Sequence, residues 1–172
     1  MNARILTERF LMRSLRVEDV SERYSRWFDD EVAQKTILAA RAPHALDDLR
    51  AYVAARSERD DVLFLGIFTR DGGEHIGNVK YEPVDRGRGY ALMGIMIGER
   101  SWRGRGVAPE VLKPSAYWLR DNLAVREFVL GVYKSNTAAI KAYEKVGYRV
   151  EATERIKADG ERSLSMVWRL EP

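Results

Sequence analysis

The sequence predicts a mixed α/β (α+β) sandwich with one mostly antiparallel central sheet of about seven strands, flanked by helices. Three observations predict it. Three apolar, strand-like runs, 62–68, 76–81 and 91–97, follow one another across short turn signals, which implies an antiparallel meander. After residue 107 the periodicity alternates between helical and strand-like. No repeat, linker or low-complexity tract divides the 172 residues, so residues 1–172 form a single domain large enough to bury a core.

The elements follow in order. Residues 10–15 predict a short strand. Residues 18–28 carry helical spacing, with Val20, Tyr24, Trp27 and Phe28 on one side. Residues 45–56 repeat it with Leu46, Leu49, Tyr52 and Val53. The meander comes next, its turns marked by Asp71-Gly72-Gly73 and by the glycines of 85–89. Ala108, Val111, Leu112, Ser115, Ala116 and Leu119 then recur at helical spacing. Pro109 is tolerated in a first turn. Pro114 removes a backbone hydrogen bond and predicts a kink. Residues 128–132 predict a strand, and 136–146 a helix capped by Asn136 and stopped by Gly147. Residues 148–152 and 164–170 close the sheet.

Composition excludes several kinds of chemistry. There is no cysteine, which excludes thiol catalysis, disulfides and thiolate metal sites. With two histidines, His44 and His75, a multi-histidine zinc site is excluded as well, and no metal is expected. No apolar run approaches the roughly 20 residues of a membrane span, and residues 1–13 lack the apolar core of a signal peptide. A cytoplasmic protein is expected. The formal charge of +3 is too mild to argue for nucleic acid. Its distribution says more, because Arg100, Arg103 and Arg105 crowd one glycine-containing turn, with Arg86 and Arg88 upstream. Such a cluster suits an anionic small ligand or a solvated loop.

That turn, Gly98 to Ala108, links a strand to a helix. A helix start leaves backbone N–H groups without partners and adds positive potential. Glycines let phosphate oxygens approach those groups, the general design of a pyrophosphate cradle. A nucleotide P-loop would need Lys followed by Ser or Thr after the second glycine. A dinucleotide fingerprint would need its own three-glycine spacing after an early strand. Some thirty residues on, Ala139, Ile140, Tyr143 and Val146 share one helical face. Tyr143 therefore points into the core or into a cleft.

Together these segments resemble the GNAT superfamily of acetyl-CoA-dependent N-acetyltransferases. Arg103-Gly104-Arg105-Gly106-Val107-Ala108 fits its pyrophosphate motif, and 136–148 fits its Asn…Ala-Ile…Tyr-x-Lys-x-Gly-Tyr motif. Ile76-Gly77-Asn78 and Gly94 to Gly98 match the preceding strands. The opening Leu11-Met12-Arg13…Asp19 resembles the subgroup that contains ribosomal-protein N-terminal acetyltransferases and several amino-sugar acetyltransferases.

The resemblance implies a cofactor, acetyl-CoA, and a splay between the fourth and fifth strands of the seven, 91–97 and 128–132, to hold its pantetheine arm. Open backbone groups near Ile95, Met96 and Ile97 would pair with that arm. Arg103, Gly104, Arg105, Gly106, Val107 and Ala108 would hold the pyrophosphate. Asn136 would face the cofactor, and Tyr143 would sit near the thioester sulfur. The attacking amine must lose a proton, the tetrahedral oxyanion needs a donor and the departing thiolate benefits from an acid. Tyr143 is the candidate acid. The fourth strand carries no acidic side chain, and Glu99, just beyond it, is the candidate base; Glu82 and His75, which flank the preceding strand, a base acting through water and an already neutral amine are alternatives. Tyr24, Trp27, Asp29, Arg41, Asn78 and Glu82 are candidates for the acceptor site. The acceptor would be a small-molecule or peptide amine, a peptide α-amine ahead of an amino-sugar nucleotide, for which Arg41, Arg86 and Arg88 could hold phosphates. A non-catalytic acetyl-CoA-binding module is the rival class. No nucleic-acid or membrane partner is expected, and the protein would be a monomer or homodimer.

Overall fold

The computed structural model describes residues 1–29 and 45–171. In chain order these form β1 (Arg4–Leu6), β2 (Phe10–Ser14), α1 (Glu22–Arg26), α2 (Leu46–Ser57), β3 (Leu63–Thr69), β4 (His75–Asp85) and β5 (Tyr90–Ile97). Then come α3 (Val107–Leu123), β6 (Glu127–Tyr133), α4 (Thr137–Val146), β7 (Arg149–Val150) and β8 (Ser163–Arg169). The strands make one sheet in the order β1-β2-β3-β4-β5-β6-β8-β7. All neighbours are antiparallel except β5 and β6.

The sheet has eight strands where the sequence predicts about seven. The addition, β1, is three residues long, too short to show an alternation above background. The strand expected at 148–152 contracts to Arg149–Val150. The helix expected over 18–28 contracts to Glu22–Arg26, its start delayed by a competing local structure. Asp19 takes both ends of the Arg13 guanidinium at 2.7 Å and accepts the Arg16 N–H, which holds Val17–Asp19 in a 3-10 turn. Ser21 then starts the helix by accepting the Tyr24 N–H.

Alternation along the strands sends side chains to two faces. Val79, Tyr81 and Met93 join Val111, Leu112, Ala116 and Leu119 of α3 in the main core. Each such buried aliphatic side chain contributes about 1.5–3 kcal/mol. The opposite face carries a second, smaller core of Leu15, Val20, Tyr24, Trp27, Phe28, Leu49 and Val53, with Phe64 and Met96 of the sheet packed against it. Thus α3 and α4 cover one face while α1 and α2 cover the other.

The Pro114 expectation resolves in detail. The α3 span runs unbroken through it, and the next residue works on the backbone. Ser115 Oγ lies 2.9 Å from the Val111 carbonyl and 3.1 Å from that of Leu112. A carbonyl only accepts, so the single Ser115 proton is committed there. The Tyr81 hydroxyl, 2.8 Å away and fully buried, must therefore donate to Ser115 Oγ.

The two halves of this pair are unequal, which makes a prediction. Ser115→Ala strands the buried Tyr81 hydroxyl and should cost about 1–3 kcal/mol, whereas Tyr81→Phe loses one hydrogen bond and should cost about 0.5–1.5 kcal/mol. Urea unfolding of both variants checks the order. A larger loss from Tyr81→Phe contradicts the assigned donor.

Candidate active site

The parallel pairing of β5 with β6 covers three residue pairs, Tyr90↔Glu127, Ala91↔Phe128 and Leu92↔Val129. Beyond them β5 continues to Ile97 paired only with β4, and β6 continues to Tyr133 paired only with β8. Met93 to Ile97 and Leu130 to Tyr133 become facing walls of a cleft of about 1520 Å³. A strand edge left inside a cleft offers unpaired N–H and C=O groups to an extended ligand.

At one end of the cleft stands the start of α3. Gly106 is its N-cap, with φ 72°, and Gly104 has φ 71°. Both lie in the left-handed region that glycine adopts freely. A Cβ on Gly106 would meet nothing nearer than an Arg9 nitrogen at 3.9 Å, so the residue borders open space. Among the described residues, no group accepts from the N–H groups of Gly104 to Ala108. These donors and the positive end of the helix dipole could hold a diphosphate.

The seat is anchored from outside. Glu110, in the first turn, accepts from Thr7 Oγ1 at 2.7 Å, from the Arg9 N–H at 2.8 Å and from Arg9 Nε at 2.7 Å. Burial works against its charged form, but these donors win and hold its carboxyl below the usual range. Arg9 also reaches the Arg105 carbonyl at 3.0 Å. The Arg9 cation thus offsets a carboxylate that would otherwise oppose a bound phosphate. Arg103 turns back to the end of β5, donating to the Ile97 carbonyl at 2.9 Å and the Gly98 carbonyl at 3.1 Å. Its guanidinium braces the strand end against the cradle.

Tyr143 projects from α4 into the same cleft, packed on Tyr148 at a ring distance of 5.9 Å. Burial pushes its hydroxyl up to about 12. Among the described residues nothing hydrogen-bonds that hydroxyl, so it is a protonated, uncommitted donor facing the cavity. Asn136 caps α4, its Oδ1 accepting the Ala139 N–H at 3.2 Å.

The structure brings most expected cofactor residues to one surface. Ile95 to Ile97, Arg103 and Gly104, Gly106 to Ala108, Asn136 and Tyr143 all line the cleft. Arg105 does not; its guanidinium lies 5.9 Å from the Trp102 ring. The acceptor candidates divide. Tyr24 and Asn78 line the cleft at its other end. Trp27 is buried in the second core and gives its indole N–H to Glu99 at 2.9 Å. A Cβ on Gly98 would fall 1.9 Å from the Trp27 ring, so glycine is required where the indole crosses the strand end. Asp29 is exposed and Glu82 lies outside the lining. Arg41 falls outside the described residues.

Two carboxylates are already committed. Glu99 accepts from Arg23 Nε at 2.6 Å as well as from Trp27, and Arg23 holds its carboxyl low against the opposing effect of burial. Glu82 is gripped by Lys80, Arg56 and Arg59. Burial would raise its carboxyl, yet Lys80 and Arg56 bring it below the usual range. Carboxylates so held are weak proton acceptors, a physical argument against the base role expected of Glu99. His75 is kept neutral by burial, stacked on Phe68 at 4.6 Å, and it does not line the cleft.

Sequence reasoning missed Tyr52, Phe64 and Lys80, which line the acceptor end. Tyr52 counted there only as a helical core position. The alternation of Asn78, Lys80 and Glu82 along one strand was the available signal.

Comparisons with known proteins identify the family and the fold. A family model described as an acetyltransferase (GNAT) domain matches residues 9–149. The chain belongs to the GNAT acetyltransferases. An N-acetyltransferase 9-like protein of Caenorhabditis briggsae is 24% identical over 133 residues, covering 72% of this chain and 66% of that protein. The chain thus spans slightly under two thirds of that relative's length. Two solved structures share the fold. One is the Salmonella typhimurium acetyl transferase that modifies the N-terminal serine of 50S ribosomal subunit protein L7/L12, with TM-score 0.80, 15% identity and coverage of 98% and 100% of the two chains. The other is the microcin C7 self-immunity acetyltransferase MccE in complex with acetyl-CoA and AMP, with TM-score 0.78, 12% identity and coverage of 95% and 93%.

The cradle makes a prediction. Gly106→Glu places a carboxylate at the free N–H groups and should abolish acetyl-CoA binding. The left-handed φ adds a stability cost of about 1–2 kcal/mol, too little to unfold the chain. Calorimetric titration of the folded variant checks this, and unchanged affinity would remove the diphosphate from this seat.

Proposed function

We propose that this protein transfers an acetyl group from acetyl-CoA directly to a primary amine, with a peptide or protein α-amine as the leading acceptor. One observation carries the reading. A single cleft runs from the unpartnered N–H groups at the start of α3, past the Tyr143 hydroxyl, to Tyr24 and Asn78 on the far side of β5. A diphosphate seat, an uncommitted acid and an acceptor face share one continuous wall.

Acetyl-CoA, when bound, supplies the activated acetyl group as a thioester. The chain's own residues do the rest. The α3 start and the Gly104–Gly106 turn hold the diphosphate, and the open edge of β5 orients the arm that follows. A β5 N–H facing the gap stabilises the charge that develops on the acetyl oxygen. Tyr143 gives a proton to the departing sulfur, whose thiol has a pKa near 8.5. No acidic side chain lies on β5, and Glu99 and Glu82 are held by arginines. Among the described residues the one carboxylate left at the acceptor end is the exposed Asp48, and the acceptor loses its proton to water or arrives neutral.

The α-amine preference rests on likeness to the L7/L12-modifying enzyme, a likeness of fold. The amino-sugar-nucleotide reading needs a second basic patch. Arg86 reaches the Asp60 carbonyl and Arg88 is exposed beside Asp85, and neither lines the cleft. The deciding experiment is turnover with acetyl-CoA across short peptides with free and blocked N-termini, amino-sugar nucleotides and polyamines. Acetylation of the free peptides alone is expected. Acetyl-CoA binding without turnover of any amine would leave a non-catalytic module.

Tyr143→Phe should lower kcat by about 10²-fold, the size typical of one acid–base group, with acetyl-CoA affinity little changed. An unchanged kcat with chemistry rate-limiting returns Tyr143 to a packing role. The pH profile gives a separate check. With Tyr143 pushed up to about 12, its proton is retained throughout the working range. The rate should rise with pH as the acceptor amine deprotonates, near 7.8 for an α-amine and near 10.4 for a lysine. A fall in rate between pH 8 and 10 would contradict the assigned acid.

A further inference from the structure

The acceptor end of the cleft is rich in hydrogen-bond donors, and its surplus charge is positive. Lys80 Nζ lies 2.5 Å from the Tyr52 hydroxyl oxygen and 2.7 Å from Glu82 Oε2. An ammonium has three donors and no acceptor, so the Tyr52 oxygen must accept from Lys80. The Tyr52 proton then points elsewhere, and among the described residues nothing accepts it. Among the described residues one Lys80 N–H has no acceptor either. Both residues line the cleft.

Asn78 adds a third donor, its direction set by His75. The His75 Nε2 atom sits 3.1 Å from the Gly77 carbonyl and 2.8 Å from the Asn78 side chain. The carbonyl only accepts, so Nε2 carries the proton, and the Asn78 atom that faces it is its oxygen. The Asn78 NH2 is therefore turned away from His75; one of its N–H groups bonds the Tyr24 hydroxyl, and the other is the donor Asn78 adds to the cleft.

The charge agrees with the donor inventory. Three cations, Lys80, Arg56 and Arg59, share the one Glu82 carboxylate. Arg59 also holds Asp61, which leaves this cluster with an excess of one positive charge, balanced in number only by the exposed Asp48. Asp48 lines the cleft from an exposed position on α2, where solvent screens it. Arg56 further lies 3.4 Å from the centre of the Tyr52 ring, keeping the phenol in place.

We propose that Tyr52, Lys80 and Asn78 form an anion seat, and that the acceptor carries a carboxylate or phosphate close to its reactive amine. This rests on the acetyl-transfer reading but departs from its peptide preference, because the first carboxyl of a peptide is a neutral amide: the acceptor it favours is a free amino acid or an amino-sugar phosphate. Each donor finds an oxygen lone pair, and the surplus charge is neutralised. A polyamine would instead bring cations beside Lys80 and Arg56.

The test uses acetylated products, which carry the anion but no reactive amine, so that binding is read without turnover. CoA is titrated into the full chain first. N-acetyl-L-serine is then compared with N-acetyl-L-serine methylamide, and N-acetylglucosamine 1-phosphate with N-acetylglucosamine. The anionic member of at least one pair should bind about tenfold more tightly, the value of one charge-assisted hydrogen bond. The pair that discriminates tells carboxylate from phosphate. Lys80→Met should collapse that ratio while leaving Glu82 paired with Arg56 and Arg59, and Tyr52→Phe should reduce it. If the anions bind no better than their neutral partners in both pairs, or if Lys80→Met keeps the ratio, the anion seat is overturned. Failure of CoA itself to bind would overturn the acetyl-transfer reading instead.

Discussion

The cleft at the centre of this molecule depends on one interrupted interaction, the pairing of β5 with β6. Three parallel pairs join the strands at their starts, and the ladder stops after Leu92↔Val129. Neither strand is loose beyond that point. β5 keeps its antiparallel partner β4 through Ile97, and β6 keeps β8 through Tyr133. Each wall of the cleft is thus held rigid from its outer side while its inner edge stays open. A complete ladder would satisfy the same backbone groups internally and leave no cavity at the centre of the sheet.

The ends of the gap are closed by contacts that cross long sequence distances. Thr7 and Arg9, at the turn between β1 and β2, fasten Glu110 in the first turn of α3. Arg103 fastens the cradle to the carbonyls at the end of β5. Trp27 crosses that same strand end over Gly98 and locks onto Glu99. Together they fix the start of α3 against the end of β5 and the turn before β2. Arginines that look in the sequence like ligand-binding charges are partly the joints of this frame.

Much of the fold was legible because it is locally encoded. The meander announces itself through turn glycines between apolar runs, and α4 through Asn136 and Gly147 at its ends. The cradle was legible because a helix start and left-handed glycines are neighbours in the chain. What was not legible depends on residues far apart in sequence. Nothing near Glu99 says that Arg23 and Trp27 will hold it, 76 and 72 residues away. Nothing near Lys80 says that Tyr52 will meet it from α2, or that Arg56 will share its carboxylate partner. Trp27 reads as an acceptor-site candidate on an apolar helical face, yet it is buried beneath the strand end. β1 is too short to show a period at all.

The central claim is that the inner edge of β5 is open in the free protein and is completed by an extended ligand. Amide hydrogen exchange, resolved by residue with and without CoA, tests it most directly. The account predicts that those amides of Met93 to Ile97 that face β6 exchange rapidly in the free protein and become protected when CoA binds, while the β4-facing amides of the same strand change little. Strong protection of every β5 amide before CoA is added, unaltered afterwards, would contradict it.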